Sequence, residues 1–320
     1  MTYGKTSYSD GMGPVHKQSW ISYLVALATM TLLSSWMHVL GGLLLLAWRP
    51  PFGGILALLW STVLVPASEW RAFRDGWIMR AWREYCHYSY HIEQELEPAK
   101  SYVAALFPHG VIPFGMMMTW AETPFLVPDH PCHGMVGSSL FRIPLYKHFI
   151  TWMGGQPATK TNILRVLRQP GQVAVLAPGG VAEMFLTGGA SEKVMLRSRK
   201  GFVRTALIAG ADIIPVYILG NSCILTLRGT KFLQALSRKT GSALGLLTGR
   251  WGLPAPIPAP HPVRAVSAPP IKVEKAMPMT HPLFDQEVER LHALFMESLR
   301  ALYYRHRGDF GWGDRPLEIV

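Results

Sequence analysis

Two short segments carry side chains suited to chemistry at neutral pH. The first is Phe107-Pro108-His109-Gly110, where a histidine follows the apolar run Tyr102 to Phe107. The second is Ala177-Pro178-Gly179-Gly180-Val181-Ala182-Glu183, where a carboxylate follows a glycine pair behind another apolar run, Gln172 to Ala177. A histidine near its ordinary pKa is a competent base, and a carboxylate on its other ring nitrogen would fix the tautomer and stabilise the imidazolium that forms. If both runs are strands of one parallel sheet, both loops lie at its carboxyl edge, where ligands gather in such folds. Taken singly, each residue has a second explanation. A buried histidine bonded to a backbone carbonyl accounts equally well for His109, and a first-turn carboxylate facing a helix dipole accounts for Glu183.

Other chemistries lose their usual markers. No serine stands in G-x-S-x-G, and there is no H-E-x-x-H, no complete G-x-x-x-x-G-K-[ST] loop and no G-x-G-x-x-G. None of the 12 histidines has an aspartate five positions on. The nearest case, His292 with Glu297, has a spacing that does not share a helix face. Cys86, Cys132 and Cys223 form no CxxC pair and are odd in number, so neither a disulfide framework nor a metal site is indicated and a reducing compartment is expected. Cys132 has no acidifying neighbour in sequence, which disfavours a covalent thiol route.

The elements that would position these residues follow from the hydrophobic pattern. Hydrophobic residues make up 49% of the 320 and charged residues 16%, against about 25% charged in a typical soluble chain. Some apolar surface is therefore expected to face a bilayer. From Ser19 to Trp48 no residue carries a fixed charge, a run longer than the roughly 20 residues that span hydrocarbon and too long for a signal peptide. A second run, Phe52 to Pro66, follows Arg49-Pro50-Pro51. We read residues 1–18 as a cytosolic tail, 19–68 as a transmembrane or re-entrant hairpin and 69–320 as a cytosolic α/β domain. Lys5 and Lys17 before the hairpin, and Arg71, Arg74, Arg80 and Arg83 after it, keep both ends on the cytosolic side.

Within 69–320, short apolar runs alternate with amphipathic stretches, the pattern of an α/β layer fold. Tyr102–Phe107, Gln172–Ala177 and Ile213–Leu219 read as strands, with Pro215 arguing against a central ladder position unless a bulge accommodates it. Helices are expected over Val111–Trp120, Phe141–Trp152, Asn162–Leu167 with Thr159 or Thr161 as N-cap, and Phe202–Ala209 ending at Gly210. Trp251–Pro270, rich in proline, is expected to run extended over the surface. Val288, Leu291, Phe295, Leu299 and Leu302 mark a closing amphipathic helix from Pro282 to Arg305.

In order along the chain, Phe107-Pro108-His109-Gly110, Phe141-Arg142-Ile143-Pro144, Ala177 to Glu183, Arg197-Ser198-Arg199-Lys200-Gly201-Phe202-Val203-Arg204 and Ile213-Ile214-Pro215-Val216 resemble the type 2 diacylglycerol acyltransferase family. That family includes monoacylglycerol and wax-alcohol acyltransferases. The resemblance implies a membrane-embedded hairpin followed by a glycerolipid-acyltransferase-like α/β domain. It also implies direct transfer from acyl-CoA, a co-substrate and not a bound cofactor, to diacylglycerol or a related lipid alcohol. His109 would be the base, and Glu183 would hold its ring. Gly179, Gly180, Arg142, Arg197, Arg199, Lys200 and Arg204 would bind the coenzyme, the cations through its phosphates. By spacing alone Arg197, Arg199, Lys200 and Arg204 are better explained as a solvated face, and Arg142 equally well as a helix cap. The implied setting is the endoplasmic reticulum membrane and lipid droplets, with membrane lipids as partners; self-association is compatible but specified by no residue. One departure is visible, since Phe107 stands where the family has a first histidine, which leaves His109 to carry the base. A catalytically silent lipid-binding scaffold is the main alternative. A nucleic-acid binder has only the net charge of +11 in its favour.

Overall fold

A computed structural model describes residues 6–8, 18–240 and 243–320; most of the expected 1–18 tail, including Lys5 and Lys17, lies outside them. The strands are β1 (Thr6–Tyr8), β2 (Ser89–Ile92), β3 (Tyr102–Phe107), β4 (Cys132–Val136), β5 (Gln156–Pro157), β6 (Val173–Leu176), β7 (Glu192–Val194), β8 (Asp212–Leu219), β9 (Thr226–Arg228), β10 (Leu246–Thr248), β11 (Arg264–Ser267) and β12 (Leu317–Ile319). Eight of them form one sheet in the order β1-β2-β11-β8-β3-β6-β4-β5. From β8 to β5 every pairing is parallel. β11 runs against β8, and β2 runs along β11. β7 pairs with β12 and β9 with β10 in two small outlying ribbons.

β3 and β8 are buried at every position, as strands covered on both faces must be, which is why they read as continuous apolar runs without alternation. One face is covered by helices Lys160–Leu167, Gly201–Ala209 and Phe284–His306, the other by Trp20–Leu45, Trp77–Tyr85 and Phe114–Leu126. The closing helix keeps its expected face: Val288, Leu291, Phe295, Leu299 and Leu302 are all fully buried. Thr159 caps the helix that follows it, its hydroxyl accepting from the Asn162 N–H at 3.2 Å. Gly210 ends its helix at φ +68°.

Pro215 sits inside β8 between β11 and β3, a central position after all. Its nitrogen faces β11, where its carbonyl still accepts from Ala268 at 2.9 Å. The next contact on that side is Ile213 with Ile271, one residue out of register with the preceding pairs. The Pro269-Pro270 insertion is thus the bulge that a donor-less residue needs. The expected surface stretch Trp251–Pro270 accordingly contains β11, an internal strand of the main sheet. The helix expected over Phe141–Trp152 is split into a 3₁₀ turn, Ser138–Arg142, and a helix, Tyr146–Trp152, around Pro144 and Leu145 at φ +56°. The helix expected from Val111 begins instead at Phe114, behind Pro113, whose ring suits a helix start.

The first apolar run forms one helix, Trp20–Leu45, the one long and apolar enough to cross a membrane among the described residues. The second forms helix Phe52–Ser61 and a 3₁₀ turn, Thr62–Leu64; its ten helical residues reach about 15 Å, half the hydrocarbon thickness. The long helix does not stand free. Ala26, Met30, Ser34 and Leu40 are buried. Thr29 accepts a hydrogen bond from the Trp82 indole at 2.7 Å, and the Trp36 indole donates to the Pro144 carbonyl at 2.8 Å. Leu24, Leu32, Leu45 and Trp48 point away from the domain and are exposed.

Candidate active site

β3 delivers Pro108-His109-Gly110 at its carboxyl end, and β6 delivers Pro178-Gly179-Gly180 at the same edge. The Phe107 side chain turns into the core against Phe295, ring centroids 6.0 Å apart. His109 is held mainly through its backbone. Its N–H donates to Glu183 Oε2 at 2.6 Å. Its own carbonyl and that of Pro108 accept from Asn221 Nδ2 at 2.8 and 3.0 Å. Asn221 Oδ1 in turn accepts from the Gly115 N–H at 2.9 Å, so one buried amide fastens the histidine loop to the next helix. Gly110 lies at φ +68°, and a Cβ there would stand 2.7 Å from Asn221 Nδ2; both conditions require glycine.

The imidazole Nδ1 lies 2.9 Å from the Gly110 carbonyl. A carbonyl only accepts, so in the neutral ring Nδ1 carries the proton and Nε2 keeps its lone pair. Burial pushes the His109 pKa below its usual value, partly offset by that carbonyl; at neutral pH the ring is therefore uncharged and able to accept a proton.

Glu183 is buried on the one-turn helix Val181–Met184. Besides the His109 N–H it accepts from the Met195 N–H through Oε1 at 2.8 Å. The expected contact with the His109 ring is therefore absent: the carboxylate is occupied by two backbone donors, and the ring nitrogen it would have held is taken by Gly110. Burial raises the Glu183 pKa to about 8, outweighing the two N–H bonds and nearby Arg199. The carboxylate packs directly on Gly179, where a Cβ would stand 2.0 Å from its carbon. Gly180, at φ +53°, supplies the turn.

A cavity of about 590 Å³ opens beside His109, within the range of small-molecule sites. Its walls are mostly apolar, including Met116, Trp120, Met135, Phe149, Ile150 and Met184, and Met37 of the long N-terminal helix closes one side. Ser198, Arg199 and Lys200 bring polarity to it. The expected row of coenzyme-binding cations is only partly assembled. Arg199 lines the cavity, and its buried Nε has no hydrogen-bond partner. Lys200 lines it too, but its Nζ is engaged by Glu289 at 2.6 and 2.7 Å. Arg197 is exposed and donates to the Ile319 carbonyl at 2.9 Å, and Arg204 pairs with Asp285 at 2.7 Å. Arg142 is exposed at the end of its 3₁₀ turn and does not line the cavity, although Ser139 and Leu140 do. Helix Gly201–Ala209 packs on helix Phe284–His306, whose acidic beginning neutralises the basic segment that leads into it. Asn221 was missed at the sequence level. The available signal was its place directly behind β8, at the same sheet edge as His109.

The family pattern "Diacylglycerol acyltransferase" matches residues 55–319. The chain is 30% identical to 2-acylglycerol O-acyltransferase 3 of Homo sapiens over 264 residues, 76% of this chain and 75% of that protein. It is 28% identical to Diacylglycerol O-acyltransferase 2-like protein 6 of Bos taurus, covering 71% of this chain and 72% of that protein. It is also 28% identical to Diacylglycerol O-acyltransferase 2 of Dictyostelium discoideum, covering 73% and 74%. Among solved structures it is distantly similar to the 1-acyl-sn-glycerophosphate acyltransferase PlsC of Thermotoga maritima, with TM-score 0.40 and 12% identity over 88% of this chain and 97% of that one. With the family pattern running over residues 55–319 of the 320, the chain belongs to the diacylglycerol acyltransferase family.

Proposed function

We propose that this chain transfers an acyl group from acyl-CoA to diacylglycerol, making triacylglycerol, with His109 as general base. The carrying observation is the neutral His109 ring, its Nδ1 capped by the Gly110 carbonyl, set beside an apolar cavity. As the acceptor hydroxyl attacks the thioester carbonyl, Nε2 takes its proton; the tetrahedral oxyanion collapses, expels the thiolate, and the imidazolium returns the proton to sulfur. The oxyanion would take a backbone N–H from the turn at Gly110 or at Gly179-Gly180. Glu183 acts by fixing the histidine backbone, and Gly179 by letting Glu183 close on the loop. Arg199 and Lys200, on the cavity wall, approach the donor, whereas Arg142, Arg197 and Arg204 act outside the site.

The acceptor is a lipid that reaches the cavity from a bilayer. Met37, a cavity residue, belongs to the helix whose outer face is exposed and apolar. The domain then works on the cytosolic side of the endoplasmic reticulum membrane or on lipid droplets, anchored by the N-terminal hairpin. A second reading, monoacylglycerol as acceptor, is favoured by the 30% identity to a 2-acylglycerol O-acyltransferase. Membranes of a host without neutral-lipid synthesis, supplied with labelled acyl-CoA and a panel of diacylglycerol, monoacylglycerol and fatty alcohol, test both. Labelled triacylglycerol that disappears in His109→Ala is the expected result. Absence of any ester from the unaltered chain, or near-normal turnover by His109→Ala, overturns the reading.

A further inference from the structure

A second pocket, about 350 Å³, lies at the same sheet edge but on the other side of the histidine clamp. β11 begins at Arg264 opposite Leu219, the last residue of β8, and β2 begins at Ser89 beside Arg264. Gly220, next to the Asn221 clamp, approaches the pocket wall so closely that a Cβ would stand 2.0 Å from the Pro262 carbonyl oxygen and 3.0 Å from Phe310 Cζ. The pocket is unlike the apolar cavity. Phe310 and Trp312 meet edge to face with centroids 4.8 Å apart, and His261 lies 6.1 and 6.4 Å from their rings. Arg264 stands over Phe310 at 5.9 Å, its Nε only 3.4 Å from the Ser89 hydroxyl and its guanidinium without a carboxylate partner among the described residues. His261 Nδ1 is bound to the Pro262 carbonyl at 2.8 Å, which leaves its Nε2 for a ligand. Asp309 also lines the pocket.

We propose that this pocket receives the adenine nucleotide of the acyl-CoA donor while the apolar cavity receives its acyl chain. This rests on the acyl-CoA-dependent reading above. Aromatic faces suit a purine, which stacks on them irrespective of hydrogen bonding. The Arg264 guanidinium supplies donors for phosphate, while His261 Nε2, which keeps its lone pair, and the Asp309 carboxylate accept from an exocyclic amine or a ribose hydroxyl. The need for such a site follows from the main cavity itself. Three of the five cations expected there lie outside it, and a fourth, Lys200, is engaged by Glu289. A donor whose thioester sits at His109 and whose nucleotide sits at Arg264 would lead its pantetheine arm along the carboxyl edge of the sheet, around the buried Gly220-Asn221 segment.

The test compares two donors on the full-length chain in membranes: acyl-CoA, and the same acyl group on pantetheine, which lacks the nucleotide. Arg264→Gln and Trp312→Leu are each expected to lower kcat/KM for acyl-CoA about tenfold, the worth of one charge-assisted hydrogen bond for the arginine and of one stacked base for the tryptophan, and to leave the acyl-pantetheine rate unchanged. A folding defect lowers both rates together, so equal losses with the two donors overturn the proposal, as do unchanged rates with both. Direct binding of adenosine 3′,5′-bisphosphate to purified protein gives a readout independent of turnover. Its affinity is expected to fall about tenfold in Arg264→Gln. If no donor yields ester but the nucleotide binds through Arg264, the acyltransferase reading fails and the site stands; if ester forms and nucleotide affinity is indifferent to Arg264, the site fails and the activity stands.

Discussion

Glu183 and His109 are joined through the histidine's backbone and not its ring: Oε2 takes the main-chain N–H at 2.6 Å while Oε1 takes that of Met195 at 2.8 Å. Each oxygen answers one donor, so Glu183→Gln leaves one of the two N–H groups facing an amide NH₂. The expected cost is about 1–3 kcal/mol of stability, the worth of one unsatisfied buried donor. Turnover should fall on the order of 100-fold as the loop shifts. Because the ring tautomer is set by Gly110, the pH profile of the residual activity should keep the parent's apparent pKa. A shift of about one unit or more would mean that Glu183 acts on the imidazole after all.

His109 must be neutral to accept a proton, and burial holds its pKa below the ordinary value. The fraction of active base is therefore complete above that pKa and is lost as pH falls through it. The rate kcat/KM should rise with pH to a plateau already reached near neutrality, with an apparent pKa below about 6.5, the usual histidine value. Measurement with a saturating lipid acceptor checks this. An apparent pKa above 7 would report the ionisation of Glu183, whose carboxyl lies on the His109 N–H, in place of the imidazole.

The parts of the fold visible in the sequence are those dictated by local pattern. β3, β6 and β8 are short apolar runs that each end at or beside a proline or glycine (Pro108, Pro178 and Gly220), and the closing helix repeats its apolar residues at three- and four-residue steps. β11 was hidden because proline-rich sequence on both sides of Arg264–Ser267 looks like surface chain; only pairing across the sheet reveals that the Pro269-Pro270 bulge accommodates Pro215. The site divides in the same way. His109, Glu183 and the glycines were legible from residue type behind a strand. Which atom Glu183 holds, and that Asp285 and Glu289 neutralise Arg204 and Lys200, depends on contacts across 74 to 89 residues of chain, which no local pattern records.

Asn221 is a test of positioning without proton transfer. Its amide donates to two carbonyls and accepts from one N–H, a combination that aspartate cannot supply. Asn221→Asp retains the acceptor for Gly115 but sets a carboxylate oxygen against the Pro108 and His109 carbonyls. A loss of kcat on the order of 100-fold is expected, with KM for the acyl donor changed less than about twofold because the cavity walls are untouched. A variant in which KM alone rises would show that Asn221 touches substrate instead of the histidine loop.

Two glycines flanking the same wall should respond in opposite ways to one added methyl group. At Gly179 a Cβ would stand 2.0 Å from Glu183 Cδ and 2.3 and 2.4 Å from its oxygens, a carboxylate held on both sides by backbone donors and unable to retreat. At Gly201, the first residue of its helix and also a cavity residue, a Cβ meets nothing within 4 Å. Gly179→Ala should therefore displace Glu183 and with it the His109 N–H, abolishing measurable transfer and costing about 1–3 kcal/mol or more from overpacking. Gly201→Ala should leave stability within about 1 kcal/mol of the parent or raise it, since alanine restricts the unfolded chain more than glycine does. Thermal unfolding in detergent and the labelled acyl-CoA assay read both effects. Retention of full activity by Gly179→Ala would show that the Glu183 carboxylate does not need its close seat on the loop.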